Sequence, residues 1–280
     1  MEGSKHAEER STPQGSGIEK LSQPENSHIG RTIAVMSGKG GVGKSSISAL
    51  LAVALAKEGC RVGMLDADIT GPSIPKLFGL KHHADVINDK IIPSDSKLGI
   101  KVVSLNLLLP REDDPVIWRG PLIGGAVKQL WTDVLWGELD YLIVDLPPGT
   151  GDAPLTVLQS LPLDGLVIVS SPQDLAIMVV KKAIKMARMM NVPILGLVEN
   201  MSGLICPHCA KPIEMFGKSK ADQVAAATGL KLLGRLPLDP ELSLLADSGA
   251  IEDYPVELFK NITPLITELI NEKTDQKKTS

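Results

Sequence analysis

The chain predicts a doubly wound α/β fold, a mainly parallel sheet with helices on both faces, and three observations carry that expectation. Short apolar runs of strand length alternate with longer segments whose apolar residues recur at helical spacing. Apolar residues make up 43% of the chain but aromatics only 3%, so the core is built from Val, Ile, Leu, Ala and Met, which suits strands covered on both faces. A glycine-rich loop, Gly38 to Ser45, stands between the first strand and the first helix. A length of 280 residues suits one large domain, expected over residues 29–270 between polar tails at 1–28 and 271–280.

In chain order, Met1 to Ser27 is polar and without a hydrophobic stretch, so it is neither a secretory signal nor, given Glu2, Glu8, Glu9, Glu19 and Glu25, an Arg-rich transit peptide. It reads as a disordered tail. Arg31–Ser37 reads as a buried strand, Lys44–Glu58 as a helix and Arg61–Leu65 as a second strand. His82–Leu98 is turn-rich and predicts a hairpin with Asn88-Asp89 at its tip. Further strands are expected at Ile100–Leu105, Tyr141–Val144, Gly165–Ser170, Ile194–Val198 and Leu232–Leu236, with helices at Leu175–Met190 and Ser219–Thr228. Pro255–Asn271 carries Val256, Phe259, Ile262, Ile266 and Ile270 on one face and reads as a closing helix packed on the sheet. Its polar face lacks the dense basic residues of a membrane-surface helix.

Gly38-Lys39-Gly40-Gly41-Val42-Gly43-Lys44-Ser45 matches the Walker A pattern of a P-loop nucleotide hydrolase. Glycines let backbone N–H groups turn onto phosphate oxygens, and the helix that starts there, with Ser46 in its first turn, adds a favourable dipole. Lys44 is expected on the β- and γ-phosphates and Ser45 on Mg²⁺. The apolar run Tyr141–Val144 ends in Asp145, where a Walker B aspartate belongs, holding Mg²⁺ through water. In the following Leu146-Pro147-Pro148-Gly149-Thr150-Gly151-Asp152, Gly149 is placed to sense the γ-phosphate with its N–H. Asp66 and Asp68 both sit at the C-terminal end of a strand, where α/β sheets bind ligands; one is expected to orient the attacking water and the other the metal's water shell.

A net charge of −4 and a pI near 5.8 argue against a strongly basic nucleic-acid surface. No apolar run reaches the roughly 18 residues that span a bilayer, so neither nucleic acid nor membrane is expected as a partner. Three cysteines cannot frame a chain of this length with disulfides, and a reducing cytoplasm fits. Cys60 reads as a small buried side chain. Cys206 and Cys209 form a Cys-x-x-Cys pair around Pro207 and His208, for which thiol-redox chemistry, zinc, an iron–sulfur site and chance all stay open. A tetrathiolate site needs four ligands, which two copies related by a two-fold axis would supply.

Lys39 makes the loop resemble the deviant Walker A class, which includes MinD, ParA-type ATPases, the nitrogenase iron protein and the Mrp-type iron–sulfur carriers. The resemblance to the Mrp-type (ApbC/Nbp) carriers runs from about Ile29 to Leu269. It rests on Asp66-Ala67-Asp68-Ile69-Thr70-Gly71-Pro72-Ser73, Trp118-Arg119-Gly120-Pro121, the Asp145–Asp152 segment, Glu199-Asn200-Met201-Ser202 and Cys206-Pro207-His208-Cys209. It implies a homodimeric Mg²⁺-dependent ATPase in which Lys39 reaches the partner's nucleotide. Asp68 is then the switch carboxylate, Gly149 contacts the γ-phosphate, Asn200 reads adenine, and Arg235 to Leu238, including Pro237, line the base. No Asn-Lys-x-Asp guanine-reading motif occurs, and ATP is favoured over GTP. The resemblance also implies that Cys206 and Cys209 hold a labile [4Fe–4S] cluster bridging two chains, received from assembly scaffolds and passed to apo iron–sulfur proteins. The four-cysteine N-terminal motif of some eukaryotic members is not found in residues 1–28. The alternatives are a MinD/ParA-like positioning ATPase and an ATP-dependent regulator with structural zinc.

Overall fold

The computed structural model describes residues 20–68, 71, 73–81, 84–104, 120–173, 177–206, 208–209 and 211–278, with backbone alone at 120–123, 177, 258 and 273–278. Twelve strands are described: β1 (His28–Ser37), β2 (Val62–Asp66), β3 (Val86–Ile87), β4 (Lys90–Ile91), β5 (Ser94–Asp95), β6 (Lys101–Ser104), β7 (Glu138–Asp145), β8 (Gly165–Ser170), β9 (Ile194–Glu199), β10 (Leu204–Ile205), β11 (Pro212–Ile213) and β12 (Leu232–Arg235). The α-helices are α1 (Lys44–Lys57), α2 (Ile74–Leu77), α3 (Gly120–Thr132), α4 (Asp152–Ser160), α5 (Ile177–Met189), α6 (Ala221–Thr228), α7 (Pro240–Ser248) and α8 (Ile262–Lys278).

Eight strands form one sheet in the order β12-β9-β8-β1-β7-β2-β6-β5. Every pairing in it is parallel except β5 with β6. Strand periodicity sends alternate β1 side chains to opposite faces: Ala34 and Met36 join one apolar cluster, Ile33 and Val35 the other. The first cluster packs α3, α4, α5 and α6 through Leu130, Val157, Ala183 and Val224. The second packs α1, α7 and α8 through Leu50, Leu242 and Ile266. The doubly wound expectation holds. Every residue of α1 from Ile47 to Leu55 is buried, so this helix is central rather than amphipathic.

The strand order reverses at β1, which lies between β7 and β8, and that reversal opens a crevice at the strands' C-terminal ends. Register brings the ends together there, with Val35 opposite Asp145 and Asp66 opposite Asp145. Asn88 and Asp89 do form the tip of the β3–β4 hairpin, both at positive φ.

Several elements differ from the sequence reading. Strands β1 and β7 begin earlier than expected because their first residues pair in register, His28 with Glu138. The polar-tail boundary at 28 also moves. The Leu21 N–H donates to the Ser160 carbonyl at 3.0 Å, and the Trp131 indole N–H donates to the Ser22 carbonyl at 2.7 Å, which ties this segment across α3 and α4. At the other end α8 continues through the polar residues to Lys278. Trp118 and Arg119, Ile69, Thr70 and Pro72, and the start of the Leu175–Met190 helix lie outside the described residues.

Candidate functional site

The loop between β1 and α1 turns where glycine permits it. Gly41 and Gly43 have φ of 82° and 76°, a region that side-chain-bearing residues avoid. A Cβ at Gly43 would run into the Asn200 amide, and one at Gly38 into the Val179 side chain on α5. The Asn200 side-chain N–H donates to the Val42 carbonyl at 3.0 Å, which pins the loop to the end of β9. Gly40, Gly41, Gly43, Lys44, Ser45 and Ser46 line a cavity of ≈ 210 Å³, together with Ser37, Asp68 and Pro148. Lys39 is exposed and is not among the residues lining it.

Asp145 is the electrostatic centre of this cavity floor. It is fully buried, and its Oδ2 lies 2.7 Å from Lys44 Nζ and accepts from the Ser45 hydroxyl at 2.6 Å. Its Oδ1 accepts from the Ser48 hydroxyl, also at 2.6 Å. A buried carboxylate with a cation and two hydroxyl donors is stable where an unpaired one is not. Ser48 escaped the sequence reading, although it lies one helical turn after Lys44, on the same face.

The two candidate switch carboxylates separate. Asp68 lines the cavity, its Oδ2 3.9 Å from Lys44 Nζ. Asp66 is turned inward, which corrects the expectation drawn from the residues alone that both acids serve the metal and the water; the resemblance singles out Asp68. Its carboxyl accepts from the Asp68 N–H at 3.1 Å, the Ile74 N–H at 3.2 Å and the Ser104 hydroxyl at 3.2 Å. Burial, then the nearby charge of Asp145, push its pKa from 3.8 up to about 8. Asp66 therefore braces the strand end and the start of α2. Gly149 is at φ 92°, and its N–H donates to the Ser37 carbonyl at 2.9 Å. Its neighbour Pro148 is the residue that faces the cavity.

A second cavity of ≈ 320 Å³ shares Gly43 and Ser46 with the first and extends past Asn200, Met201, Pro237 and Leu238 to the α7 face at Leu242 and Ser243. Of the residues expected to read or line the base, Asn200, Pro237 and Leu238 border this cavity. Arg235 and Leu236 do not: Arg235 Nε is 3.2 Å from the buried Glu199 carboxylate, and Leu236 enters the core. The α7 contribution was missed because nothing in a short amphipathic helix marks which cleft it closes.

Cys206 and Cys209 lie apart from both cavities, at the tip of the antiparallel β10–β11 ribbon, where the Cys206 N–H donates to the Lys211 carbonyl at 2.9 Å. Cys209 is exposed and Cys206 half-buried. The backbone N–H groups of His208 and Cys209, and then the Cys209 thiol, hold the Cys206 thiol below its ordinary pKa. Among the described residues no set of three or more His, Cys, Asp or Glu side chains converges on one point. Cys60 is half-buried rather than buried, and burial raises its pKa.

Comparison with known proteins agrees with this geometry. The chain is 45% identical over 255 residues to an iron–sulfur cluster carrier protein of Methanocaldococcus jannaschii, covering 89% of this chain and 88% of that one. It is 48% identical over 238 residues to one of Clostridium perfringens, covering 82% and 84%. Among solved structures, a nucleotide-binding protein of Archaeoglobus fulgidus in complex with ADP superposes with a TM-score of 0.76 at 48% identity, covering 83% of this chain and 91% of that chain. The cell division ATPase MinD of Pyrococcus furiosus superposes with a TM-score of 0.60 at 20% identity, covering 88% and 99%, which shows the shared fold. The resemblance drawn from the motifs is borne out. A family model described as NUBPL iron-transfer P-loop NTPase, of the ParA group, matches residues 28–270, and on that match and these relatives the chain belongs to the iron-transfer P-loop NTPase family.

Proposed function

We propose that this protein is a homodimeric ATPase that holds an iron–sulfur cluster between the Cys206 and Cys209 pairs of two chains and delivers it to apo-proteins. The observation that carries the reading is a contrast: the phosphate cavity is lined with polar groups already paired with one another, whereas Cys206 and Cys209 stand at the ribbon tip with no third His, Cys, Asp or Glu beside them among the described residues, two of the four thiolates that a cluster needs. The iron–sulfur carriers to which it is 45% and 48% identical support it.

For the nucleotide, the loop N–H groups receive the phosphates, and Lys44 moves from Asp145 to the β- and γ-phosphate oxygens. The hydroxyl of Ser45 and the carboxylate of Asp145 are hard oxygen donors that meet within 2.6 Å, a set that suits Mg²⁺. When bound, Mg²⁺ neutralises charge on the phosphates. Asp68 orients the water that attacks the γ-phosphorus, releasing ADP and phosphate, while Lys39 of the second chain adds positive charge to the transferring group. The Asn200 N–H is already donated to Val42, which leaves its carbonyl oxygen as an acceptor. That acceptor matches the adenine amino group and opposes the guanine carbonyl. Gly149 reports on the γ-phosphate by exchanging its bond to Ser37. Among the described residues no helix is long and apolar enough to cross a membrane, and action in the cytoplasm fits.

Anaerobic reconstitution with iron and sulfide tests the reading. Wild type should become brown and oxygen-sensitive with about one cluster per two chains, while Cys206→Ala and Cys209→Ala stay colourless and still bind ATP. Colourless wild type containing zinc would overturn the carrier reading in favour of a regulator.

A further inference from the structure

Helix α5 carries Lys181, Lys182, Lys185 and Arg188 and no acidic residue. All four are exposed, none is ion-paired among the described residues, and they are gathered on a single helix. Lys181 and Lys185 stand one turn apart on one face, with Arg188 a turn further, an arrangement that repels itself and that a merely solvated helix avoids by alternating signs. Met178 and Met189 flank the cations and are 67% and 65% exposed. The ridge is bordered on both sides by grooves. One, of ≈ 490 Å³, runs against α6 at Ala227 and Thr228; the other, of ≈ 390 Å³, runs against α4 at Leu155 and reaches Thr150. Both grooves have apolar floors, from Ile184 in the first and Met186 in the second.

We infer that the α5 ridge is a docking surface for an acidic amphipathic segment of a partner protein, its carboxylates on the lysines and Arg188 and its apolar side chains in the flanking grooves. Four exposed cations with no ion pair among the described residues call for an anionic partner, and the exposed methionines supply adaptable apolar contact. A nucleic acid would use the cations but leave the apolar grooves empty. A bilayer is flat, whereas these grooves are concave. The ridge is also tied to the nucleotide site at two points. Val179 packs against Gly38, and Thr150 lies two residues beyond Pro148 in the segment facing the phosphates. This surface is separate from the cysteine ribbon and does not depend on the cluster reading.

The test uses the full chain and a fluorescein-labelled helical peptide with glutamates one turn apart and leucines on the adjoining face, followed by anisotropy. An analogue with serine for leucine, a short DNA duplex and phosphatidylglycerol vesicles serve as competitors. The leucine peptide should bind in a salt-sensitive manner. Binding should weaken about tenfold or more in the K181E/K185E/R188E variant, and also in Ala227→Trp, which fills a groove without changing charge. ATP binding reports that both variants are folded. Equal binding of the serine analogue, or no loss in the variants, would overturn the proposal, as would displacement of the peptide by DNA or vesicles in preference to unlabelled peptide.

Discussion

The phosphate loop and the cysteine ribbon represent opposite ways of building a site. Around Asp145 every polar group has its partner inside one chain: Lys44, Ser45 and Ser48 all converge on a fully buried carboxylate. At the ribbon, two-residue strands present one exposed and one half-buried thiol, with Ile205, Ile213 and Met215 exposed beside them. The first site is preorganised, and its chemistry depends on charges held still in a poorly solvated cleft. The second is open, as a site must be if its cargo is to enter, be shared and leave. On the proposed reading one chain combines a closed engine with an unfinished receptacle, and substitutions should affect the two independently.

The largest break in that comparison is Lys44→Ala. It removes both the phosphate cation and the counter-charge of Asp145, so ATP hydrolysis should fall by roughly 10²–10³-fold. Chemical unfolding should register a loss of roughly 3–5 kcal/mol from the uncompensated buried carboxylate. Reconstituted iron content should not change; a parallel loss of iron would show that the two sites are not independent.

Ser48→Ala is a finer cut. It leaves Lys44 and Ser45 in place but strips Asp145 Oδ1 of its donor, which should cost about 1–2 kcal/mol in urea denaturation and weaken Mg²⁺-dependent hydrolysis roughly tenfold. Unchanged Mg²⁺ dependence would make Ser48 a packing residue only.

The pH dependence of stability sharpens the role of Asp66. Its pKa in the fold is about 8 against 3.8 for the free group, so the folded state binds the proton more tightly than the unfolded one. Its contribution is fully favourable below 3.8 and falls as pH rises toward about 8. Asp66→Asn, which keeps an acceptor oxygen but cannot ionise, should flatten the stability profile across that window. Parallel profiles for wild type and variant would mean that Asp66 is ionised when folded.

The smallest expected effect compares cysteines. Cys206, exposed to its turn's N–H groups, should be alkylated by iodoacetamide several-fold faster near neutral pH than Cys60, whose thiol burial pushes up. Equal rates, mapped by peptide mass spectrometry, would remove the case for an activated thiol at the ribbon.

Much of the molecule was legible because its signals are local. The strand at Gly165–Ser170 and the hairpin tip at Asn88-Asp89 needed only an apolar run and a turn pair. The α5 ridge was not legible in the same way: its cations lie in an acidic chain with a net charge of −4, and only the packing of α5 shows that they share an open face. The sequence reading found no basic patch for that reason. The segment at 21–22 read as tail because it is held by two hydrogen bonds through its backbone and one leucine, Leu21, packed on the core, too little to make a periodic signal.

The sequence by itself determined the phosphate loop, the strand that feeds it and the helix that follows, since eight consecutive residues carry the glycines, the lysine and the hydroxyl that phosphate binding requires. It also placed the two thiols on one short turn. Only the tertiary structure decided that Asp66 braces the strand end, that Ser48 holds Asp145 from 97 residues away, and that Asn200 closes on Val42 across 158 residues. These pairings depend on strand order and register, which set distant chain ends side by side, and no local pattern encodes them.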